Sequence, residues 1–356
     1  MSTNLTPAAR EDDWSVATPE QEGMDSSILS GIGPRFAGWP EACAHAVVIA
    51  RHGTLIYEQY FSGEDWRWVD PLGTLVFDGT VKHDLKSITK SVTSLLVGIG
   101  VDRGWIADVS TPVFTYFPEH SDIRSPEKDR ITLRHLLTMS AGLTWNESLP
   151  WNDPTNNERQ MDDAVDPYRY ALERSIERPP GQVYNYCGAA PILLQGVLQR
   201  TSGKPFDELA RETLLEPLGI SDTEWTRFPS GDVRGHGGLR LRPRDLAKLG
   251  QLVLDRGKWR GKQIISADWI TKSTSPQING ESIFFYGYLW WLGRFLMNRR
   301  EIRWIAGFGN GGQRVYIVPD LDLVVAVNAG AYGAPQVVGG IAMQEYVLPK
   351  IGRAHV

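Results

Sequence analysis

The sequence predicts an α+β protein: an antiparallel sheet flanked by helices, with an all-α region inserted. Three observations carry this. Strand-like segments lie near both ends of the chain, helix-like segments fill the middle, and glycine or proline punctuates the boundaries between them. The chain has 356 residues, enough to bury a large core. Its 42% hydrophobic and 22% charged content matches an ordinary soluble globular protein.

Residues 1–25 read as a polar lead-in and 26–356 as one domain. Its α/β part spans about 26–104 and 236–356, and its helical part about 105–235. Ala44 to Ile49 is an apolar, β-branched run, Arg51-His52-Gly53 a turn, and Leu55 to Phe61 an alternating segment, together a hairpin. From Asp84 to Asp102, Ile88, Val92, Leu95, Leu96 and Ile99 recur at helical spacing and the pattern stops before Gly104. This is a buried helix starting near Ser87. Thr132 to Met139 and Pro191 to Thr201 are further helices, the second ended by Gly203. Leu149 to Asp166, rich in Asn, Asp and Pro, reads as a long surface loop. Pro243 to Asp255 is an amphipathic helix closed by Gly257. Tyr288 to Leu292, Val315 to Val318 and Leu323 to Val327 are strands, with a Pro319-Asp320 turn between the last two. Met343 to Ile351 is the final helix.

Composition excludes several functions. The net charge is −5 and no run of like charges occurs, which does not favour a nucleic-acid partner. No stretch of about 18 apolar residues exists to span a membrane. Met1 to Trp14 lacks a basic start followed by an apolar run, so no secretory signal is read and a cytoplasmic location is expected. A leader trimmed from the chain would make the protein periplasmic or secreted instead. Cys43 and Cys187 show neither metal-ligand nor redox spacing, and His83, His135 and His236 form no ligand pattern. No metal and no cofactor are expected, and the partner is a small-molecule ester or amide. Oligomeric state has no signature in the sequence.

Three stretches carry chemistry. Ser87-Ile88-Thr89-Lys90 is an S-x-x-K motif; residues three apart share a helix face, so the lysine amine reaches the serine hydroxyl. Serine is a poor nucleophile until a neighbouring base takes its proton. A helix start adds free N–H groups and a positive dipole end for a developing oxyanion. Alone the motif is weak, since a solvated helix face explains most Ser-Lys pairs. Tyr186, in the turn before the Pro191 helix, is a second candidate, because a phenol beside an ammonium loses its proton more readily and can shuttle protons. Core packing is the commoner fate of a tyrosine. The third stretch is Gly307-Phe308-Gly309-Asn310-Gly311-Gly312-Gln313, where glycine admits a ligand close to the backbone and a strand edge offers N–H groups. A plain glycine-rich hairpin has the same composition.

The order and spacing of these stretches resemble the class C β-lactamase and penicillin-binding-protein superfamily of serine hydrolases. The framing segments are similar too: Leu136 to Leu143, Pro180-Gly181 before Tyr186, Glu216 to Gly219, Gly237-Gly238-Leu239 with Asp245-Leu246-Ala247, and Tyr288 to Trp291. The resemblance spans roughly residues 20–350. It implies that Ser87 forms an acyl-enzyme, Lys90 is its base partner, Tyr186 is the tyrosine of the family's Tyr-x-Asn motif, and the Ser87 and Asn310 N–H groups form the oxyanion hole. Two departures stand out. Gly188 replaces the Asn that holds a β-lactam's amide side chain, and Gly307 replaces the Lys or His that fixes its carboxylate. Both argue against efficient β-lactamase or D,D-peptidase action. The Tyr-Cys pair and the Gly-Gln pair resemble 6-aminohexanoate-dimer hydrolases and related esterases. The resemblance therefore implies hydrolysis of esters, and of linear amides, at Ser87. The alternatives are a β-lactamase or D-amino-acid peptidase and, in another class, a non-catalytic penicillin-binding-like sensor or scaffold. Gly188, Phe308, Gly309, Trp145, Trp151, Trp290 and Trp291 are the candidates for contact with substrate.

Overall fold

The computed structural model describes residues 5–297 and 299–351. The first strands are β1 (Ser15–Val16), β2 (Ala44–Arg51), β3 (Thr54–Tyr60), β4 (Ser62–Arg67), β5 (Asp70–Val76) and β6 (His83–Asp84). The middle of the chain adds β7 (Glu224–Trp225) and β8 (Leu239–Leu241). The last are β9 (Ile278–Asn279), β10 (Phe285–Tyr286), β11 (Trp291–Met297), β12 (Arg300–Gly309), β13 (Gln313–Val318) and β14 (Leu323–Ala329). The main sheet has the order β1-β3-β2-β14-β13-β12-β11-β10-β9. It is antiparallel except at its edge, where β1 runs parallel to β3. The β2–β14 pairing joins the two ends of the chain, as the strand distribution predicts.

The central helix α1 (Ile88–Asp102) is buried on every side from Ile88 to Gly100, so it packs in the middle of the molecule. Gly98 permits this: a Cβ there would lie 2.3 Å from the Trp269 ring. Helix α2 (Ala189–Ser202) packs on α1 and ends at Gly203, whose φ of 72° suits glycine. Helix α3 (Pro243–Leu254) lies across β14, β13 and β2, and Gly250 lets it approach Val324 and Val315. These helices build one hydrophobic core on one face of the sheet. The helices Ile32–Ala37 and Val338–Ile351 build a second on the other face.

Three sequence expectations need correction, and one element was not anticipated. Trp14 in the polar lead-in is buried and donates its indole N–H to the Arg244 carbonyl at 3.2 Å; Met1 to Asn4 lie outside the described residues. The 149–166 stretch is not all loop: Asn156 caps a helix over Asn157–Asp162, whose Met161 is buried. Tyr288 to Trp290 form a buried turn, with Leu289 at φ 60°, and the strand starts only at Trp291. The β4–β5 hairpin carried no alternation that would have marked it as strand. No helix among the described residues is long and apolar enough to cross a membrane.

Candidate active site

Ser87 sits at the N-cap of α1, one residue after Lys86, whose φ of 48° is unusual for a residue with a side chain. That turn swings the serine out into a cleft of about 1100 Å³. Lys90, one turn further, is 1% exposed and places its Nζ 2.9 Å from Ser87 Oγ. The same Nζ donates to the His236 carbonyl at 3.0 Å and lies 4.9 Å above the Tyr186 ring. The Tyr186 side chain also interacts with Ser87. The three candidates from distant stretches therefore meet at one point.

The state of Tyr186 differs from the expectation. Burial, and then the neighbouring Glu147, push its phenol well above the usual range, while the Ser87 contact pulls it only partly back. The free protein thus holds Tyr186 as a protonated phenol, and proximity to Lys90 does not turn it into a phenolate.

The edge of β12 forms the adjoining wall. A Cβ on Gly309 would fall 2.2 Å from the Leu85 carbonyl oxygen, so only glycine lets this strand end pass so close to the turn before Ser87. Phe308, Gly309 and Asn310 all line the cleft. The Asn310 side chain is engaged elsewhere, accepting from the Gly311 N–H and from Gln336 Nε2, both at 2.8 Å. A side chain at Gly307 would meet Ile88 Cγ2 at 3.1 Å. The cation facing this part of the cleft is instead Arg314, opposite Phe308 in the β12–β13 pairing, with its guanidinium donating to the Gly309 carbonyl and to Gln336. Burial lowers its pKa.

The tryptophan expectations divide. Trp151 and Trp291 line the cleft, and Trp291 stacks on both Tyr186 (5.9 Å) and Phe308 (5.7 Å). Trp290 is 1% exposed and lies in the core, as part of the buried turn before the strand. Trp145 is also buried, with its indole N–H on Glu147 at 2.6 Å. Gly188 is not a cleft residue: its N–H donates to Glu147 Oε2 at 2.6 Å, and that carboxylate, with Glu158, fills the space a side chain would need.

Several site residues were not legible beforehand. Glu147, Glu158 and Glu281 bring acid to the cleft lining, and Trp66, Trp68 and Tyr332 add aromatic wall. Burial, and then repulsion from Glu147, raise the Glu158 carboxyl. His236 is fully buried, 3.4 Å from Glu158 and 3.5 Å from Asp162, and burial keeps its imidazole neutral. His83 lies not in the cleft but behind it, beside His45. Both cysteines are free.

A family model for beta-lactamase matches residues 42–338. A 6-aminohexanoate-dimer hydrolase from Paenarthrobacter ureafaciens is 24% identical over 336 residues, covering 88% of this chain and 79% of its own. A penicillin-binding protein homologue from Pyrococcus abyssi superposes with a TM-score of 0.65 at 20% identity, over 92% of this chain and 80% of its own. A family VIII carboxylesterase superposes with a TM-score of 0.68 at 16% identity, over 90% and 96%. The two structural likenesses establish the fold.

Proposed function

This chain belongs to the beta-lactamase family and is a hydrolase of it, and on that premise we propose that it cleaves carboxylic esters, and linear amides more slowly, through an acyl-enzyme at Ser87. The observation that carries the reading is the 2.9 Å contact between Lys90 Nζ and Ser87 Oγ at the start of a buried helix, with the Tyr186 ring 4.9 Å from the same Nζ. Lys90 accepts the serine proton as Oγ attacks the acyl carbon. The carbonyl oxygen becomes an oxyanion between the Ser87 and Asn310 N–H groups. Tyr186, held protonated, gives its proton to the departing oxygen or nitrogen and regains one from Lys90. The C–O or C–N bond breaks and the acyl group remains on Ser87. Water, deprotonated by the same pair, then attacks the acyl carbon, the bond to Oγ breaks, and the proton passes to Ser87 as the acid leaves.

Ester hydrolysis is the primary activity because an alkoxide or phenolate departs with less help than an amine. Glu147 against Gly188, and Ile88 against Gly307, occupy the places where the family resemblance expects β-lactam contacts. The test is a panel of short p-nitrophenyl esters, linear amides and nitrocefin with the purified protein. The proposal expects ester turnover that Ser87→Ala lowers by about 10³ or more. Nitrocefin turnover exceeding that of every ester would replace it with the β-lactamase reading. No turnover of any substrate would favour a sensor or scaffold.

A further inference from the structure

Behind the cleft, three buried polar side chains from distant parts of the chain converge. His45 on β2, Asp65 on β4 and His83 on β6 each offer one donor atom, and these atoms all lie within 4.8 Å of one another. Each residue is at most 2% exposed. Both ring nitrogens of each histidine, and Oδ2 of Asp65, have no hydrogen-bond partner of ordinary geometry among the described residues. A buried polar atom without a partner destabilises the fold, and native cores hold few of them. So many at one point imply that something occupies the centre.

We propose that His45, Asp65 and His83 bind a divalent transition-metal ion, zinc first, which ties β2, β4 and β6 together behind the cleft wall.

The donor set selects the ion. Two imidazoles and one carboxylate suit zinc, whereas calcium and magnesium take oxygen ligands. Zinc donors at about 2.0–2.2 Å from the ion stand about 3.4 Å apart in a tetrahedron, so small side-chain rotations close the site.

The surroundings accommodate the charge. Arg240 approaches Asp65 at 3.9 Å, but its Nη1 is bound to Asp84 at 2.6 Å, and Lys86 holds the same Asp84 at 2.9 Å. Asp84 thus takes the close contacts of both cations, and Asp65 keeps only the long one to Arg240. Phe77 stacks on His45 at 4.0 Å and packs on His83 at 4.7 Å, giving the site an apolar cover. Asp65 directly precedes Trp66, which lines the cleft. The ion would steady that wall without touching substrate, so the inference stands apart from the serine chemistry.

The test uses tag-free full-length protein expressed in zinc-supplemented medium, with metal content measured after gel filtration and thermal unfolding measured with and without a chelator. The expected result is one zinc ion per chain and a lower unfolding midpoint after chelation. Asp65→Asn and His83→Gln should each lose the ion and the chelator response. Wild-type protein without stoichiometric zinc and with an unmoved midpoint, as a site filled by water would give, overturns the proposal. So do variants that keep the ion. Should a variant fail to fold, cobalt-loaded wild type decides: intense visible bands of four-coordinate cobalt support the site, and their absence overturns it.

Discussion

The two walls of the cleft are held in place by different means. One comprises the start of α1, Tyr186 and the end of β12. Its positions follow from main-chain packing: a left-handed Lys86 before Ser87, the Gly309 backbone against Leu85, and Lys90 on the His236 carbonyl. The other comprises Trp66 near the end of β4, Trp68 in the turn after it, Glu147 to Trp151 on a loop and Glu158 on the short helix Asn157–Asp162. Side-chain contacts hold it, such as Trp68 Nε1 to Asp162 at 2.9 Å and the edge-on packing of Trp68 against Trp151 at 6.0 Å. Bond making thus rests on contacts to the main chain, and substrate contact on side-chain packing. Changes in the first wall should lower kcat, and changes in the second should act mainly through KM.

The largest effect should come from Tyr186→Phe. Only a hydroxyl is lost, so the fold should persist, while amide turnover falls by about 10²–10⁴. A p-nitrophenyl ester should lose less, since its phenolate leaves without a proton. Equal losses, read from kcat on both substrates, would assign Tyr186 to activating Ser87. Next is Gly309→Ala, whose Cβ would collide with the Leu85 carbonyl and push the β12 edge from the serine. A displacement of that kind costs on the order of 10² in turnover, and an unchanged kcat would remove this edge from the machinery.

On the opposite wall, Trp151→Ala should raise KM about tenfold with little change in kcat. A fall in kcat alone would erase the distinction between the walls. The smallest effect concerns pH. Burial, then Glu147, raises the Glu158 carboxyl above its unfolded value, so the folded state favours the neutral acid. That contribution is complete at low pH and is lost as pH rises from the ordinary glutamate range through the raised one. Glu158→Gln should flatten the decline, measured as thermal midpoints across that range. A profile that keeps the wild-type slope would show that Glu158 does not drive it.

The same division explains what the sequence disclosed. Ser87 and Lys90 were legible because three residues on a helix is a contact distance, and α1 because its apolar residues recur over four turns. The β2–β3 hairpin showed through its β-branched run and the turn at Gly53. Glu147, Glu158 and His236 were not legible, because loops bring them together from separated positions. Trp290 and Trp291 looked alike until the strand start set which faces the cleft. The protonated state of Tyr186 depends on burial beside Glu147, which no motif encodes. The His45, Asp65 and His83 cluster escaped for the same reason, since its spacing along the chain matches no ligand pattern.

The most direct test of the central claim is to trap the acyl-enzyme. Protein quenched in acid during turnover of a slow p-nitrophenyl ester is digested and its peptides are weighed by mass spectrometry. The account predicts one added acyl group on the peptide holding Ser87, and none in Ser87→Ala. An acyl group on any other residue, or its persistence in Ser87→Ala, would contradict it.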